Sequence, residues 1–360
     1  MQRKVNKNFF DGQPVYVGID CHKKSWKVSI MGEHYEHKTF SRNPDPNELA
    51  RYLNKNFPGG EYHAVYEAGF SGFGACRQMK ELGIDCKVIH PSDVPTNQKE
   101  RYQKTDKADC RKLARTLRNK EFQPIDIPDE ELEADRSLVR QRFRIMKDLT
   151  RIKHRVRSLL LQYGIEMPER FSQHQARYWS KPYLNWLSEL TYKHESLKLT
   201  MDNYIRYGQL LRKELLLVNR QVRLLSQKPR YIQNFKLLLT VPGIGLMTAT
   251  TFLVQIGNID RFKKLDELCS YIGLIPSMHG SGDRMVVEKM SKRGRKILKI
   301  MLIEASWIAI RNDPAMMAKF SELIKQMKKN KAIIRIARKL LSRICYILRN
   351  QQNYQLGVVA

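Results

Sequence analysis

The hydrophobic pattern of this chain changes period once, and that change limits what it can build. Near the amino end apolar residues alternate. In Pro14-Val15-Tyr16-Val17-Gly18-Ile19-Asp20, Val15, Val17 and Ile19 share one face and Asp20 falls on the other. Further strands are expected from Trp26 to Met31 and from Tyr35 to Phe40. Asn43 and Pro44 open a helix through Leu53, and a strand from His63 to Tyr66 ends at Glu67. A helix from Phe73 to Leu82 stops at Gly83, Cys86 to Ile89 is a strand, and Thr105 to Asn119 is helical. Three strands, then helix and strand in alternation, is the order of an RNase H-like sheet.

Further on the period lengthens. Ile145, Leu149, Ile152, Val156, Leu159 and Tyr163 recur at spacings of four and three, the pattern of a coiled-coil seam. A second seam runs through Leu197, Met201, Tyr204, Leu211, Leu215, Val218, Val222 and Leu225, with Gly208 as its weak position. Two such helices make an antiparallel hairpin or a dimerisation arm. Six acids (Asp126, Asp129, Glu130, Glu131, Glu133 and Asp135) precede them and read as a boundary or a solvated linker. The expected fold class is α/β plus α. An RNase H-like domain spans 13–125, an acidic linker and coiled-coil helices 126–230, and a mostly helical domain 231–349, whose last helices run over 292–311 and 315–349.

Composition narrows the partner. The 360 residues hold 65 Lys and Arg against 36 Asp and Glu, a formal net charge of +29. A polyanion, most simply DNA or RNA, is the natural ligand. With 42% hydrophobic residues the chain forms packed cores, which excludes a disordered basic tail. A mean hydropathy of −0.52 and the lack of a long uncharged apolar run exclude a membrane-spanning protein. The first twenty residues carry no apolar signal core, so a cytoplasmic location is expected. Cys21, Cys76, Cys86, Cys110, Cys269 and Cys345 form no C-x-x-C pair and no zinc spacing, and read as free thiols.

Four carboxylates carry the chemistry. Asp20 and Glu67 each end a strand pattern, and Asp106 and Asp109 lie three apart on a predicted helix, on one side of it. Taken singly each is an ordinary surface acid, and Asp106 could be a helix N-cap. On an RNase H-like sheet, however, these elements converge. Four clustered carboxylates need cations, and hard divalent ions such as Mg²⁺, two per site, would answer that need while clamping a phosphate for displacement at phosphorus.

Two stretches lie downstream. Leu239-Thr240-Val241-Pro242-Gly243-Ile244-Gly245-Leu246 has the form of a helix-hairpin-helix turn, in which Gly243 and Gly245 would let backbone amides approach a phosphate. In Pro276-Ser277-Met278-His279-Gly280-Ser281-Gly282-Asp283-Arg284, Ser281 sits between two glycines, and on spacing alone this is a flexible surface turn. Arg284, Lys292, Arg293, Arg295 and Lys296 could hold a phosphate there, and Ser291 reads as an N-cap. Arg140, Arg142, Arg144, Lys147, Arg151, Lys153, Arg155 and Arg157 give the first long helix a phosphate-tracking face, with Asp148 the one acid among them.

Together these residues resemble the DEDD transposases of the insertion-sequence one-ten family, relatives of the Piv-type DNA invertases. The resemblance rests on VGIDCHKKSW, VYEAG, KTDKADCRKLA, LLTVPGIGLMTAT, YIGLIPSMHGSGDR, SKRGRKILK and IARKLL, in that order along nearly the whole chain. It implies a RuvC-like amino-terminal domain, a coiled-coil insert and a carboxyl-terminal transposase domain. It also implies that Asp20, Glu67, Asp106 and Asp109 bind Mg²⁺ and that Ser281 is the nucleophile. The implied partners are target and donor DNA, a non-coding bridge RNA, and further copies of the chain in a dimer or tetramer. The implied activity is RNA-guided DNA recombination; the alternatives are a metal-dependent structure-specific endonuclease without a covalent intermediate and a non-catalytic RNA-binding protein.

Overall fold

The computed structural model describes residues 10–95, 105–172, 179–281, 284–291 and 293–357, with the backbone alone for 277–281 and 284–289. The chain forms two compact units, Met1–Ile127 and Pro128–Ala360.

The first unit is built on a five-stranded sheet. Its strands are β1 (Pro14–Cys21), β2 (Trp26–Met31), β3 (Glu36–Arg42), β4 (Glu61–Glu67) and β5 (Asp85–Ile89), in the spatial order β3-β2-β1-β4-β5. β1, β2 and β3 pair antiparallel, whereas β4 and β5 run parallel to β1. The alternation expected of β1 holds. Val15, Val17 and Ile19 bury on one face with Leu49 and Leu53 of α1 (Pro46–Asn56) and Met79 of α2 (Gly74–Glu81). The opposite face carries α3 (Asp106–Arg118), whose Leu113 and Leu117 pack on Val65 and Ile89.

In the second unit α4 (Glu130–Gln162) and α7 (Glu195–Leu225) pack as an antiparallel pair. Leu132 and Val139 near the start of α4 share a core with Val222 and Leu225 near the end of α7, while Ile145 to Leu160 meet Met201, Ile205 and Leu211. The predicted seam is followed through Val156. Leu160 then takes the buried position, and Tyr163 is half exposed. The acid block does straddle the division between the two units, but from Asp129 onward its acids cap and form a helix and are no linker. Asp129 caps α4, accepting the Leu132 N–H at 2.7 Å, and buried Asp135 accepts from Lys228 at 3.0 Å and from the Tyr231 hydroxyl at 2.7 Å. Between the long helices lie α5 (Glu169–Ser172) and α6 (Lys181–Glu189). Gly208 is no weak position either, because a Cβ there would overlap the buried Trp179 ring.

The remaining elements surround the largest core. They are α8 (Pro229–Leu239), α9 (Leu246–Ile256), α10 (Leu265–Ile272), the hairpin β6 (Pro276–Ser281) and β7 (Arg284–Met290), α11 (Lys296–Asn312), α12 (Pro314–Gln326) and α13 (Lys329–Asn350). The stretch expected as a flexible turn is therefore a strand up to Ser281, which pairs with Arg284 across the hairpin. The single helix expected over 315–349 breaks at Met327 and Lys328. Lys325, Lys328, Lys329 and Lys331 bring like charges to spacings of three and four, which disfavours one continuous helix. All six cysteines are free.

Candidate active site

Strand register places the first two acids. β1 and β4 run parallel with Ile19 opposite Tyr66, so Asp20 and Glu67, one residue further on, lie side by side where the two strands run out: Glu67 is the last residue of β4 and Asp20 the last but one of β1. Ile19 and Tyr66 bury on the α1 and α2 face, and alternation turns Asp20 and Glu67 to the other. Glu67 pairs with Ile89, which belongs to the cluster beneath α3. Both carboxylates thus face the helix that carries the other two.

Gly18 brings that helix close. A Cβ at Gly18 would overlap the Cys110 carbonyl oxygen and the Ala114 nitrogen, so α3 rests on bare β1 backbone. Thr105, not Asp106, caps α3, its hydroxyl accepting the Ala108 N–H at 3.3 Å. This leaves the Asp106 carboxylate available at the first helical position, with Asp109 one turn on. The helix's positive end favours both anions. Arg111 Nε donates to Thr39 Oγ1 at 3.1 Å and ties α3 to β3.

His22 is the member that the sequence reading passed over. Its Nε2 lies 3.1 Å from Asp20 Oδ2 and 3.4 Å from Asp106 Oδ2. One ligand atom from each of Asp20, His22 and Asp106 lies within 4.8 Å of the others. The available signal was a histidine two residues past that aspartate, just where β1 leaves the sheet. Asp109 Oδ1 is 3.6 Å from Lys112 Nζ. Partial burial raises the pKa of Asp20 above the ordinary carboxylate value, with Asp106 and Asp109 adding to the rise and His22 opposing it. Burial and the Asp20 charge push the Cys21 thiol up to about 12, and burial pushes Cys110 to about 11. Among the described residues, moreover, no cysteine joins the cluster of possible ligand atoms formed by Asp20, His22 and Asp106. The donors that remain are carboxylate oxygens and one imidazole nitrogen, a set that suits a hard or borderline divalent cation.

The phosphate-binding candidates of the second unit are placed less uniformly. Gly243 has φ +85°, and a Cβ there would overlap the Ala305 carbonyl of α11, so this glycine serves helix packing. Gly245 is exposed at the N-cap of α9, with open space around its α-carbon. Arg293 and Lys296 are exposed. Arg295 is engaged, with Nε 3.2 Å from the Tyr271 hydroxyl and its guanidinium 5.2 Å from that ring's centre. Arg151 pairs with Asp148 at 2.7 Å, and Arg155 is exposed. Ser291 is not the N-cap of α11, which begins after Arg295; its hydroxyl accepts the Arg293 N–H at 3.1 Å. Lys292 and the side chains of Ser281 and Arg284 lie outside the described residues.

Comparison with known proteins supplies the class. Residues 17–165, which include all four acids, match a DEDD family described as transposases. Residues 235–321 match the transposase IS116/IS110/IS902 family. The chain belongs to that insertion-sequence transposase family, whose members cleave and transfer DNA strands. It is 28% identical to a Sinorhizobium fredii protein named as a transposase, over 82% of this chain and 72% of the relative. It is 27% identical to the transposase of insertion sequence element IS1533 from Leptospira borgpetersenii, over 68% and 70%. A pilin gene-inverting protein of Moraxella bovis is 30% identical over 37% of this chain and 42% of its own length. Among the described residues no helix is long and apolar enough to cross a membrane.

Proposed function

We propose that this transposase is an RNA-guided DNA recombinase that cuts and rejoins DNA through Ser281, with Mg²⁺ held by Asp20, Glu67, Asp106 and Asp109. The observation that carries the reading is the gathering of Asp20 and Asp106, with Asp109 close enough to perturb Asp20, where β1 ends and α3 begins. The strand order β3-β2-β1-β4-β5 with α3 across it supports an RNase H/RuvC-like catalytic domain. The charge of +29 and the resemblance at the carboxyl end support DNA and a bridge RNA as partners of an oligomer. In that oligomer, acids and serine from different subunits form one site.

In this scheme the Ser281 hydroxyl oxygen bonds to the scissile phosphorus. The bond to the departing sugar oxygen breaks, that oxygen takes up a proton, and the serine proton passes to solvent or a nearby base. A second DNA hydroxyl then attacks the phosphoserine, reforms a phosphodiester and returns the serine to its starting state. The bond count is conserved, so no nucleotide cofactor is needed. Bound divalent ions would supply electrostatic stabilisation of the charge developing on phosphate oxygens. Exposed Arg155, Arg293 and Lys296, the open Gly245 amide region, Arg151, Lys292 and Arg284 serve the polyanion.

A recombination assay with Ser281→Ala tests the nucleophile. Covalent protein–DNA adducts should vanish, and undiminished adducts would reject the assignment. Free nicked ends without any adduct in the wild-type chain would favour the metal-only endonuclease. Asp20→Asn or Asp109→Asn should remove divalent-ion-dependent activity. Sequencing the copurifying nucleic acid should return one defined RNA with loops complementary to two DNA sites.

A further inference from the structure

The geometry points to His22 as a nitrogen ligand of the active-site metal ion, which would shift the site's preference from Mg²⁺ toward Mn²⁺. This inference rests on the metal-site reading above and adds to it a donor that the four-carboxylate pattern does not contain.

A single atom, His22 Nε2, makes both approaches, 3.1 Å to Asp20 Oδ2 and 3.4 Å to Asp106 Oδ2. Two ligands on adjacent corners of an octahedron, each at ~2.1 Å from a central ion, stand about 3.0 Å apart. The His22 spacings are close to that edge length, and the third edge stays within 4.8 Å. The same nitrogen is a hydrogen-bonding partner of Asp20.

The position of His22 also fits. It follows directly on β1, and its backbone N–H donates to the Ser25 carbonyl at 3.2 Å in the turn toward β2. That turn holds the residue at the same edge as Asp20, the last but one residue of the strand. Its side chain is about half exposed (49%), so the imidazole reaches the site without being a core element.

Chemistry sets the metal preference. Mg²⁺ takes oxygen ligands almost alone and gives up its waters reluctantly, whereas imidazole nitrogen binds first-row transition ions more tightly. One imidazole beside carboxylates should raise affinity for Mn²⁺ relative to Mg²⁺. A site of carboxylates alone would not create that gap.

The test is metal binding by the full chain, stripped of ions and titrated with Mn²⁺ while electron paramagnetic resonance counts free ion. Pulsed measurements on the bound ion then detect any coupled ¹⁴N nucleus, and Mg²⁺ competition gives the ratio of affinities. The wild type should show the ¹⁴N coupling. His22→Ala and His22→Gln should both lose it, bind Mn²⁺ about tenfold or more weakly, and narrow the gap between Mn²⁺ and Mg²⁺. Bound Mn²⁺ without ¹⁴N coupling in the wild type, or coupling that persists in both variants, would overturn the role of His22 alone, provided that Asp20→Asn still lowers Mn²⁺ binding. Unchanged Mn²⁺ binding in Asp20→Asn would instead overturn the underlying metal site, and the His22 assignment with it.

Discussion

Gly18 of β1 lies directly beneath Cys110 of α3, so close that a single added carbon would overlap the Cys110 carbonyl oxygen. This contact sets the height of α3 above the sheet, and with it the distance from Asp106 to Asp20. A Gly18→Val chain must lift the helix or bend the strand. The expected loss is about 1–3 kcal/mol from overpacking, because the obstructing atoms are backbone and cannot rotate away. Urea unfolding should report this loss, and DNA cleavage should fall further than stability does, since the carboxylates separate even in the folded fraction.

Asp20 gives a pH dependence whose direction follows from its raised pKa. The native state holds the proton more tightly than the unfolded chain does. Stability is therefore greatest below the ordinary aspartate value of 3.8, and this contribution declines as pH rises through the native pKa above it. At neutral pH the ion-free fold carries the cost of an ionised, partly buried carboxylate. Asp20→Asn should thus be more stable than the wild type at pH 7 in chelator, with the difference shrinking toward pH 3. Added divalent ion should reverse the order: a ligand at a hundred times its Kd stabilises the wild type by about 2.7 kcal/mol, and the Asn chain by less. Thermal melts in chelator and in ion would check both directions.

The legible part of this fold is the part with strict alternation. β2 has the bounds Trp26–Met31 that its apolar run predicts, and Asp20 and Glu67 stand out because each closes a strand pattern, although β1 runs one residue past Asp20 to Cys21. His22 was hidden because a polar residue just past a strand end looks like any turn residue, and only the approach of α3 brings Asp106 to it. Close approaches were equally hidden. Gly18, Gly208 and Gly243 each admit a neighbour that is remote in sequence, and one-dimensional spacing holds no record of that neighbour. The hairpin β6–β7 was missed because Gly280 and Ser281 have low strand propensity, which pairing overrides.

Gly208 lets α7 accept the Trp179 ring, which is 3% exposed. Gly208→Ala gains helix propensity of about 1 kcal/mol but drives a methyl into the indole, at an overpacking cost of about 1–3 kcal/mol. The expected net effect is a small destabilisation together with a displaced ring. The chain has four tryptophans, so the emission change is best read in a background where Trp26, Trp186 and Trp307 are phenylalanine. A red shift of the Trp179 emission is expected.

Asp129 joins the start of α4 to α8 through two bonds of different kinds. Its Oδ1 accepts the Leu132 N–H at 2.7 Å as a helix cap, and its carboxylate takes Arg230 Nη1 and Nη2 at 2.8 and 2.5 Å. The Arg230 hydrogen bonds, followed by the cap bond, hold its pKa down at about 2. Here the unfolded chain binds the proton more tightly. The stabilisation is therefore complete above the ordinary value of 3.8 and is lost as pH falls toward about 2. The carboxylate is more than half exposed, so the ion pair contributes only ~0.2–1 kcal/mol, and the cap about 1 kcal/mol. Asp129→Ala should cost roughly 1–2 kcal/mol at pH 7, and Asp129→Asn, which keeps a cap acceptor, distinctly less. In 1 M salt the gap between Asn and wild type should close while the gap between Ala and Asn persists, because screening weakens the pair and leaves the cap. Urea unfolding in a Trp26→Phe background, where the remaining tryptophans all lie in the second unit, would measure these differences at pH 7 and again between pH 4 and pH 2.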